Sequence, residues 1–201
     1  MFALDPLQPS LFGESEPIPD AGFASLERLD LDPASWLDYA PGWLAGDARL
    51  YDFLADTVEW QQPEVRMYDR MVKTPRLVGQ VEAGSHPALG KMIRLLSNRY
   101  DIAMDRVSAG WYRTGTDSVA WHGDRIARDL PHAIVATVSL GGPRRFLIRP
   151  KGGGESTGFN LGRGDLAVMG GACQRLWEHT VPKAASSAPP RIALMFRHAY
   201  D

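Results

Sequence analysis

The chain of 201 residues has 22 Lys and Arg, 24 Asp and Glu, and a formal net charge of −2, and it is long enough for one domain whose core needs no disulfide. Its single cysteine, Cys173, excludes an internal disulfide and a cysteine-cluster metal site, so a metal must rely on histidine and carboxylate ligands. No stretch approaches the roughly 20 apolar residues that span a bilayer and no secretion signal opens the chain, so we expect a cytoplasmic protein without a membrane partner. We also expect a monomer.

Residues 1–40 are predicted to form an acidic arm, followed by one domain over residues 41–201. The arm contains five prolines among scattered acids without apolar periodicity, which is typical of an extended or weakly ordered segment. Residues 1–60 carry 12 acids against two arginines, a net of −10, whereas residues 61–201 carry 20 Lys and Arg against 12 acids, a net of +8. A basic body suits a nucleic-acid ligand, but it is equally consistent with a solvated surface covered by the acidic segment.

Two helices are predicted after this arm. Asp47 can cap the first, which Pro63 closes and whose apolar residues recur at helical spacing: Leu50, Phe53, Leu54 and Val58. The second runs from Pro87 to about Tyr100, because Pro87 is tolerated in a first turn and the apolar residues at 89, 92, 93 and 96 lie on one stripe. We expect both helices to support the core.

From about Val107 onward, short β-rich runs separated by glycine and proline indicate a sandwich or barrel. The clearest runs are residues 133–140, 145–148, 166–169 and 192–196. Residues 151–158 hold four glycines but lack the lysine and serine of a phosphate-binding loop, so they are predicted to be a flexible connection between strands.

A candidate metal site begins with His122 and Asp124. On an extended backbone, side chains two residues apart point to the same side, so an imidazole and a carboxylate can share one ion there. His179 would complete two histidines and one carboxylate, the set that leaves three positions open in non-haem iron(II) oxygenases. The His-x-Asp pattern also arises in surface turns, and a hydrolytic zinc enzyme could use the same three ligands.

The segment Arg-Ile-Ala-Leu-Met-Phe-Arg at residues 191–197 is predicted to be a strand. Alternation places Arg191 and Arg197 on one face with Ala193 and Met195, and the large apolar residues on the other. A sheet interior does not bury two guanidinium groups without an anion, and a dicarboxylate would compensate them. The alternative is an edge strand with both arginines in solvent.

These residues resemble the AlkB family of iron(II)- and 2-oxoglutarate-dependent nucleic-acid dealkylases. The similarity runs from about Leu50 to the end of the chain and includes Trp-His-Gly-Asp at 121–124 and Gln-Arg-Leu-Trp-Glu-His at 174–179. The remaining matching segments are residues 111–113, 117–120, 134–141, 144–146, 164–169, 180–183 and 190–197. The resemblance implies a double-stranded β-helix, or jelly roll, in a mainly β fold with supporting N-terminal helices.

The resemblance also implies roles for individual residues. His122, Asp124 and His179 would ligate iron(II), while Arg191 and Tyr112 would bind the distal carboxylate of 2-oxoglutarate. The other residues implied at the site are Arg197, near the metal-bound end of 2-oxoglutarate, and the substrate-contact candidates Tyr68, Lys73, Arg76, Trp121 and Arg144. Residues 68–76 would form a lid over the substrate base.

The implied function is oxidative demethylation of alkylated DNA or RNA bases, using O₂ and 2-oxoglutarate and releasing formaldehyde, succinate and CO₂. Three residues depart from the family pattern: Gly110 and Ala193 stand where asparagines usually contact the co-substrate, and Ile126 replaces an acid that assists base recognition. Two alternatives follow, namely the same chemistry on a protein, lipid or small molecule, and a nucleic-acid-binding module without turnover.

Overall fold

The computed structural model describes residues 15–67, 69–124 and 130–198, and antiparallel strands dominate these residues. The strands are β1 (Ile18–Pro19), β2 (Glu27–Asp32), β3 (Ser35–Ala40), β4 (Leu44–Ala45), β5 (Glu64–Met67), β6 (Arg70–Lys73), β7 (Leu77–Gln80), β8 (Arg106–Tyr112), β9 (Val119–His122), β10 (Val135–Gly141), β11 (Arg144–Pro150), β12 (Thr157–Leu161), β13 (Leu166–Gly171), β14 (Trp177–Val181) and β15 (Arg191–Arg197). The helices are α1 (Asp47–Thr57), α2 (Pro87–Tyr100) and α3 (Cys173–Leu176).

Two facing sheets form the body of the protein. The larger has seven strands in the order β2-β3-β13-β10-β15-β8-β7, and the smaller has four in the order β12-β11-β14-β9. One buried cluster lies between them, with Leu37, Val135 and Met169 from the larger sheet and Phe146 and Ile148 from the smaller. This arrangement of antiparallel sheets confirms the predicted jelly-roll core.

The other face of the larger sheet packs against the two long helices. Leu50 and Leu54 of α1 and Leu89 and Met92 of α2 are fully buried in this second cluster, as the predicted apolar stripes require. The predicted bounds of α2 are confirmed. In the described parts of the chain, no helix has the length and hydropathy of a membrane span.

The predicted cap of α1 is wrong. Gly46 precedes the helix in the left-handed region, with φ of 70°, and Asp47 lies inside the first turn. The Asp47 carboxylate instead accepts a hydrogen bond of 2.9 Å from the backbone N–H of Gly141, and burial raises its pKa. Asp47 therefore fastens α1 to the end of β10 rather than closing its own helix.

The expectation of an extended arm is wrong for residues 27–40. Strand β3 pairs with β13 in the larger sheet, and β2 pairs with β3 at its edge. The acidic residue Asp38 is fully buried in β3 because Arg28 donates two hydrogen bonds to it and Tyr100 a third. Residues 1–14 of the predicted arm lie outside the described residues.

Strand β15 lies between β10 and β8, so the alternative of an exposed edge strand is also wrong. Ile192, Leu194 and Phe196 are fully buried against the helices. The opposite face of β15 points between the sheets, where Arg191 is buried. The connection predicted at residues 151–158 is shorter in the structure, because residues 157 and 158 already belong to β12.

Candidate metal centre

Two neighbouring strands of the smaller sheet bring the predicted metal ligands together. His122 ends β9, His179 lies in β14, and the two are register partners in an antiparallel pair. Partners in such a pair project to the same side of a sheet. Asp124 follows His122 by two residues, and the three side chains offer ligand atoms that all lie within 4.8 Å of one another.

The imidazole of His122 is held in one orientation. Its Nδ1 lies 2.8 Å from the carbonyl oxygen of Ala120, which leaves Nε2 directed at Asp124, 3.8 Å from Oδ1. The rings of His122 and His179 are 4.3 Å apart, and the ring of Phe146 stacks on His179 from 5.5 Å. A hydrogen bond from the distal nitrogen is how proteins orient a metal-binding imidazole.

Sequence reasoning missed Gln174, which holds the carboxylate ligand in place. Gln174 is buried in α3, and its Oε1 accepts a hydrogen bond of 2.8 Å from the backbone N–H of Asp124. A Cβ at Gly123 would collide with the carbonyl oxygen of Gln174, so only glycine permits this approach. The signal in the sequence was the position of Gln174 just before His179 in a segment of the family resemblance.

The surroundings keep His179 and Asp124 in the protonation states that a metal requires. Burial lowers the pKa of His179 to about 4, so the ring is neutral near pH 7. Burial alone would raise the pKa of Asp124, but the positive charge of Arg197 opposes burial, and this pKa stays below its usual value. A neutral imidazole and an ionised carboxylate bind metal. A set of two histidines and one carboxylate suits iron(II). The residues therefore fit the metal.

A cavity extends from the three ligands to Arg191. Its wall includes Tyr112, Thr137 and Ala193. Arg191 is 1% exposed, its Nε donates to Ser139 Oγ at 2.6 Å, and burial lowers its pKa to about 10. Among the described residues no carboxylate forms an ion pair with Arg191. Its guanidinium can therefore bind the carboxylate of a ligand, such as the distal carboxylate of 2-oxoglutarate.

Arg197 lies at the other end of the same strand face, beside the metal ligands. Its Nη1 donates to Ser108 Oγ at 2.9 Å, and its Nη2 lies 3.4 Å from Asp124 Oδ2. Arg191 and Arg197 therefore lie on one face of β15, as strand alternation predicts, and Arg197 is the one beside the metal ligands.

The structure separates the substrate-contact candidates. Arg76 lines the cavity, and Lys73 is exposed on the β5–β6 hairpin. Trp121 alternates with His122 on β9, and the guanidinium of Arg149 lies 4.0 Å from its ring, which places Trp121 on the outer face of the smaller sheet. Tyr68 and Ile126 lie outside the described residues.

Arg144 is not a surface residue that could meet a substrate. It is 2% exposed and donates to the carbonyl oxygens of Thr114, Asp117 and Pro182 at 2.7 to 3.0 Å. These bonds tie the β8–β9 connection and the start of the β14–β15 connection to β11. The predicted contact with substrate is therefore corrected to a structural role.

Comparison with known proteins gives a family match over the second half of the chain. The model of the 2OG-Fe(II) oxygenase superfamily matches residues 87–197, which contain His122, Asp124, His179 and Arg191. The chain is 31% identical to alpha-ketoglutarate-dependent dioxygenase alkB homolog 3 of Bos taurus over 158 residues, which cover 73% of this chain and 55% of that protein. The chain thus spans about half the length of this relative.

A relative from a plant and a solved structure extend the comparison. DNA oxidative demethylase ALKBH2 of Arabidopsis thaliana is 26% identical over 217 residues, which cover 86% of this chain and 69% of that protein. The structure of OsALKBH1 superimposes with a TM-score of 0.60 at 14% identity and covers 86% of this chain and 100% of its own. A prolyl hydroxylase from Trichoplax adhaerens gives 0.52 at 10% identity. At such identities the two structures support the fold alone.

Proposed function

The chain belongs to the 2OG-Fe(II) oxygenase superfamily, and from that premise we propose that it removes N-linked methyl groups from alkylated nucleic-acid bases by oxidation. One observation carries the proposal. The three candidate metal ligands open onto a cavity that ends at the buried guanidinium of Arg191. A hydrolytic zinc enzyme would not need a buried guanidinium at the far end of its metal-binding cavity.

His122, Asp124 and His179 would hold the metal, and Arg191 with Tyr112 would bind the distal carboxylate of 2-oxoglutarate. Arg197 lies 3.4 Å from Asp124 Oδ2 and would hold the Asp124 carboxylate in the orientation that binds the metal. When bound, iron(II) with 2-oxoglutarate and O₂ supplies the oxidising power that hydroxylates a C–H bond and yields succinate and CO₂. The buried cluster around Phe146 and Val181 excludes bulk water from this end of the cavity.

Hydroxylation of an N-methyl group gives a hemiaminal, N–CH₂–OH. This group loses formaldehyde as its C–N bond breaks, and the nitrogen takes up the hydroxyl proton. The unmodified base and formaldehyde are therefore the products, and the protein's task is to position the methyl group.

A nucleic-acid substrate is supported by charge and by relatives. Residues 61–201 carry a net charge of +8, which favours a polyanion. The relative from Arabidopsis thaliana is named a DNA oxidative demethylase. A base inside a duplex must be turned out of the stack at a cost of about a few kcal/mol, so damaged or single-stranded substrates are favoured. We also propose that the protein is a cytoplasmic monomer.

The test is incubation of iron-loaded protein with 2-oxoglutarate and oligonucleotides that carry single N-methylated bases, with formaldehyde and unmodified base measured by mass spectrometry. We expect both products from at least one lesion, and none from Asp124→Ala, because that variant loses a metal ligand. Consumption of 2-oxoglutarate without repaired base would transfer the chemistry to another substrate class. No consumption at all would favour a binding module.

A further inference from the structure

Arg76 enters the cavity from the connection between β6 and β7. Its Cδ and Nε lie 3.8 Å from the place that a Cβ on Gly110 would occupy. Gly110 and Ala193 are register partners on β8 and β15, and neither carries a polar side chain. The Arg76 side chain therefore lies over a part of the cavity wall that offers no polar side chain of its own.

The guanidinium of Arg76 meets the same phenol as Arg191. Its Nη1 donates to Tyr112 Oη at 2.6 Å, and its central carbon lies 5.6 Å from the Tyr112 ring, against 5.5 Å for Arg191. Burial lowers the pKa of Arg191, and the charge of Arg76 acts in the same direction. Arg144 is a third cation near this ring, at 5.4 Å, but it donates to backbone carbonyl oxygens. Arg76 and Arg191 therefore share this phenol at the cavity wall.

Neither cation has an acidic partner within the described residues, since no salt bridge there includes Arg76 or Arg191. Arg191 is buried and Arg76 is partly buried, so holding their like charges beside one phenol is unfavourable unless an anion lies between them. Arg76 has five N–H donors and spends one on Tyr112, so it retains donors for a carboxylate.

We propose that Arg76 is a second arginine ligand of 2-oxoglutarate, binding the same distal carboxylate as Arg191 beside Tyr112. The inference rests on the proposed function. It assigns Arg76 to the co-substrate rather than to the substrate base. It also accounts for the absence of polar side chains at Gly110 and Ala193, because Arg76 from the β6–β7 connection supplies hydrogen-bond donors at that part of the wall.

The test compares two ligands that differ in the distal carboxylate. Binding of 2-oxoglutarate and of 2-oxobutyrate to Mn(II)-loaded protein is measured by calorimetry without oxygen, so that no turnover occurs. We expect Arg76→Ala to weaken 2-oxoglutarate binding by about 10-fold to 100-fold, the range for a hydrogen bond to a charged group, and to leave 2-oxobutyrate binding within about 2-fold. Arg76→Lys should recover part of the loss.

Arg145→Ala is the matched control, because Arg145 is an exposed arginine that does not line the cavity. It should bind both ligands as the unchanged protein does. Equal weakening of both ligands by Arg76→Ala, or no weakening of either, would overturn the inference. The proposed function would survive that result if demethylation by the unchanged protein persists, and would fail with it if the unchanged protein does not bind 2-oxoglutarate.

Discussion

Arg191 is a charged residue among the largest fully buried side chains of the described residues, where an apolar residue such as Trp43 is expected. We predict that Arg191→Ala weakens 2-oxoglutarate binding by about 100-fold, because the distal carboxylate loses a charge-assisted pair in a buried site. Equilibrium binding to Mn(II)-loaded protein measures the effect. Arg145→Ala removes an exposed charge and serves as the control. Unchanged affinity in Arg191→Ala would require another anchor for the co-substrate.

Gln174 acts on the metal through Asp124. We predict that Gln174→Ala weakens metal binding by about 10-fold to 100-fold, because the backbone N–H of Asp124 loses the acceptor that fixes the carboxylate. Competition with a chelator of known affinity measures the loss. Leu176→Ala, an exposed position on the same short helix, should bind metal normally. Equal affinities in the two variants would count against this role.

For single residues, placement can be predicted where local backbone geometry decides it. The two-residue spacing of His122 and Asp124, at and just beyond the end of β9, and the alternation of Arg191 and Arg197 on β15 are of this kind. The pairing of Gln174 with the N–H of Asp124 joins separate elements and has no periodic signal. Arg144 was misjudged for a related reason, because the resemblance gives a position in the chain but not its depth.

At the level of elements, apolar periodicity predicted α1, α2 and the strand segments after Val107. Strand β3 was missed because it carries the buried acid Asp38, whose partners Arg28 and Tyr100 come from another strand and a distant helix. Nearby prolines also favoured an irregular segment. Acidity alone does not distinguish an extended arm from a sheet strand whose charges are paired.

The pairing of β2 and β3 within the larger sheet predicts the outcome of truncation. Removal of residues 1–40 deletes β2 and β3, including the fully buried Leu37, and opens the edge of β13. We expect the free energy of unfolding to fall by about 5 kcal/mol or more, which is comparable to the whole stability of a small domain. The truncated chain should therefore not fold. Thermal unfolding followed by circular dichroism measures it.

Removal of residues 1–14 is the matched control, because it leaves β2 and β3 in place. We expect that protein to melt cooperatively. A cooperative transition at an unchanged temperature after removal of residues 1–40 would restore the independent-arm interpretation.

For the whole molecule, the near-neutral total charge conceals a basic region from residue 61 onward. We predict that binding of a single-stranded oligonucleotide weakens by about 20-fold between 50 and 200 mM salt, as expected for three phosphate contacts. Fluorescence anisotropy at several salt concentrations measures the slope.

An oligonucleotide of the same sequence with an uncharged methylphosphonate backbone is the control, and its affinity should vary little with salt. A flat salt dependence for the natural backbone would argue that the basic region is merely solvated surface. The sequence predicted the asymmetry of charge but not its use, because counting charges along a chain does not locate them on a surface.

The pairing of His122 with His179 across β9 and β14 has a consequence for how the protein gains and loses its metal. Backbone hydrogen bonds fix the distance between the two imidazoles, so the centre is preorganised by the sheet and its assembly is uncoupled from folding. In domains whose fold depends on the ion, chelation causes unfolding. Here a chelator should strip the centre while the far-ultraviolet spectrum and cooperative melting persist, and returning the ion should restore binding without a refolding step.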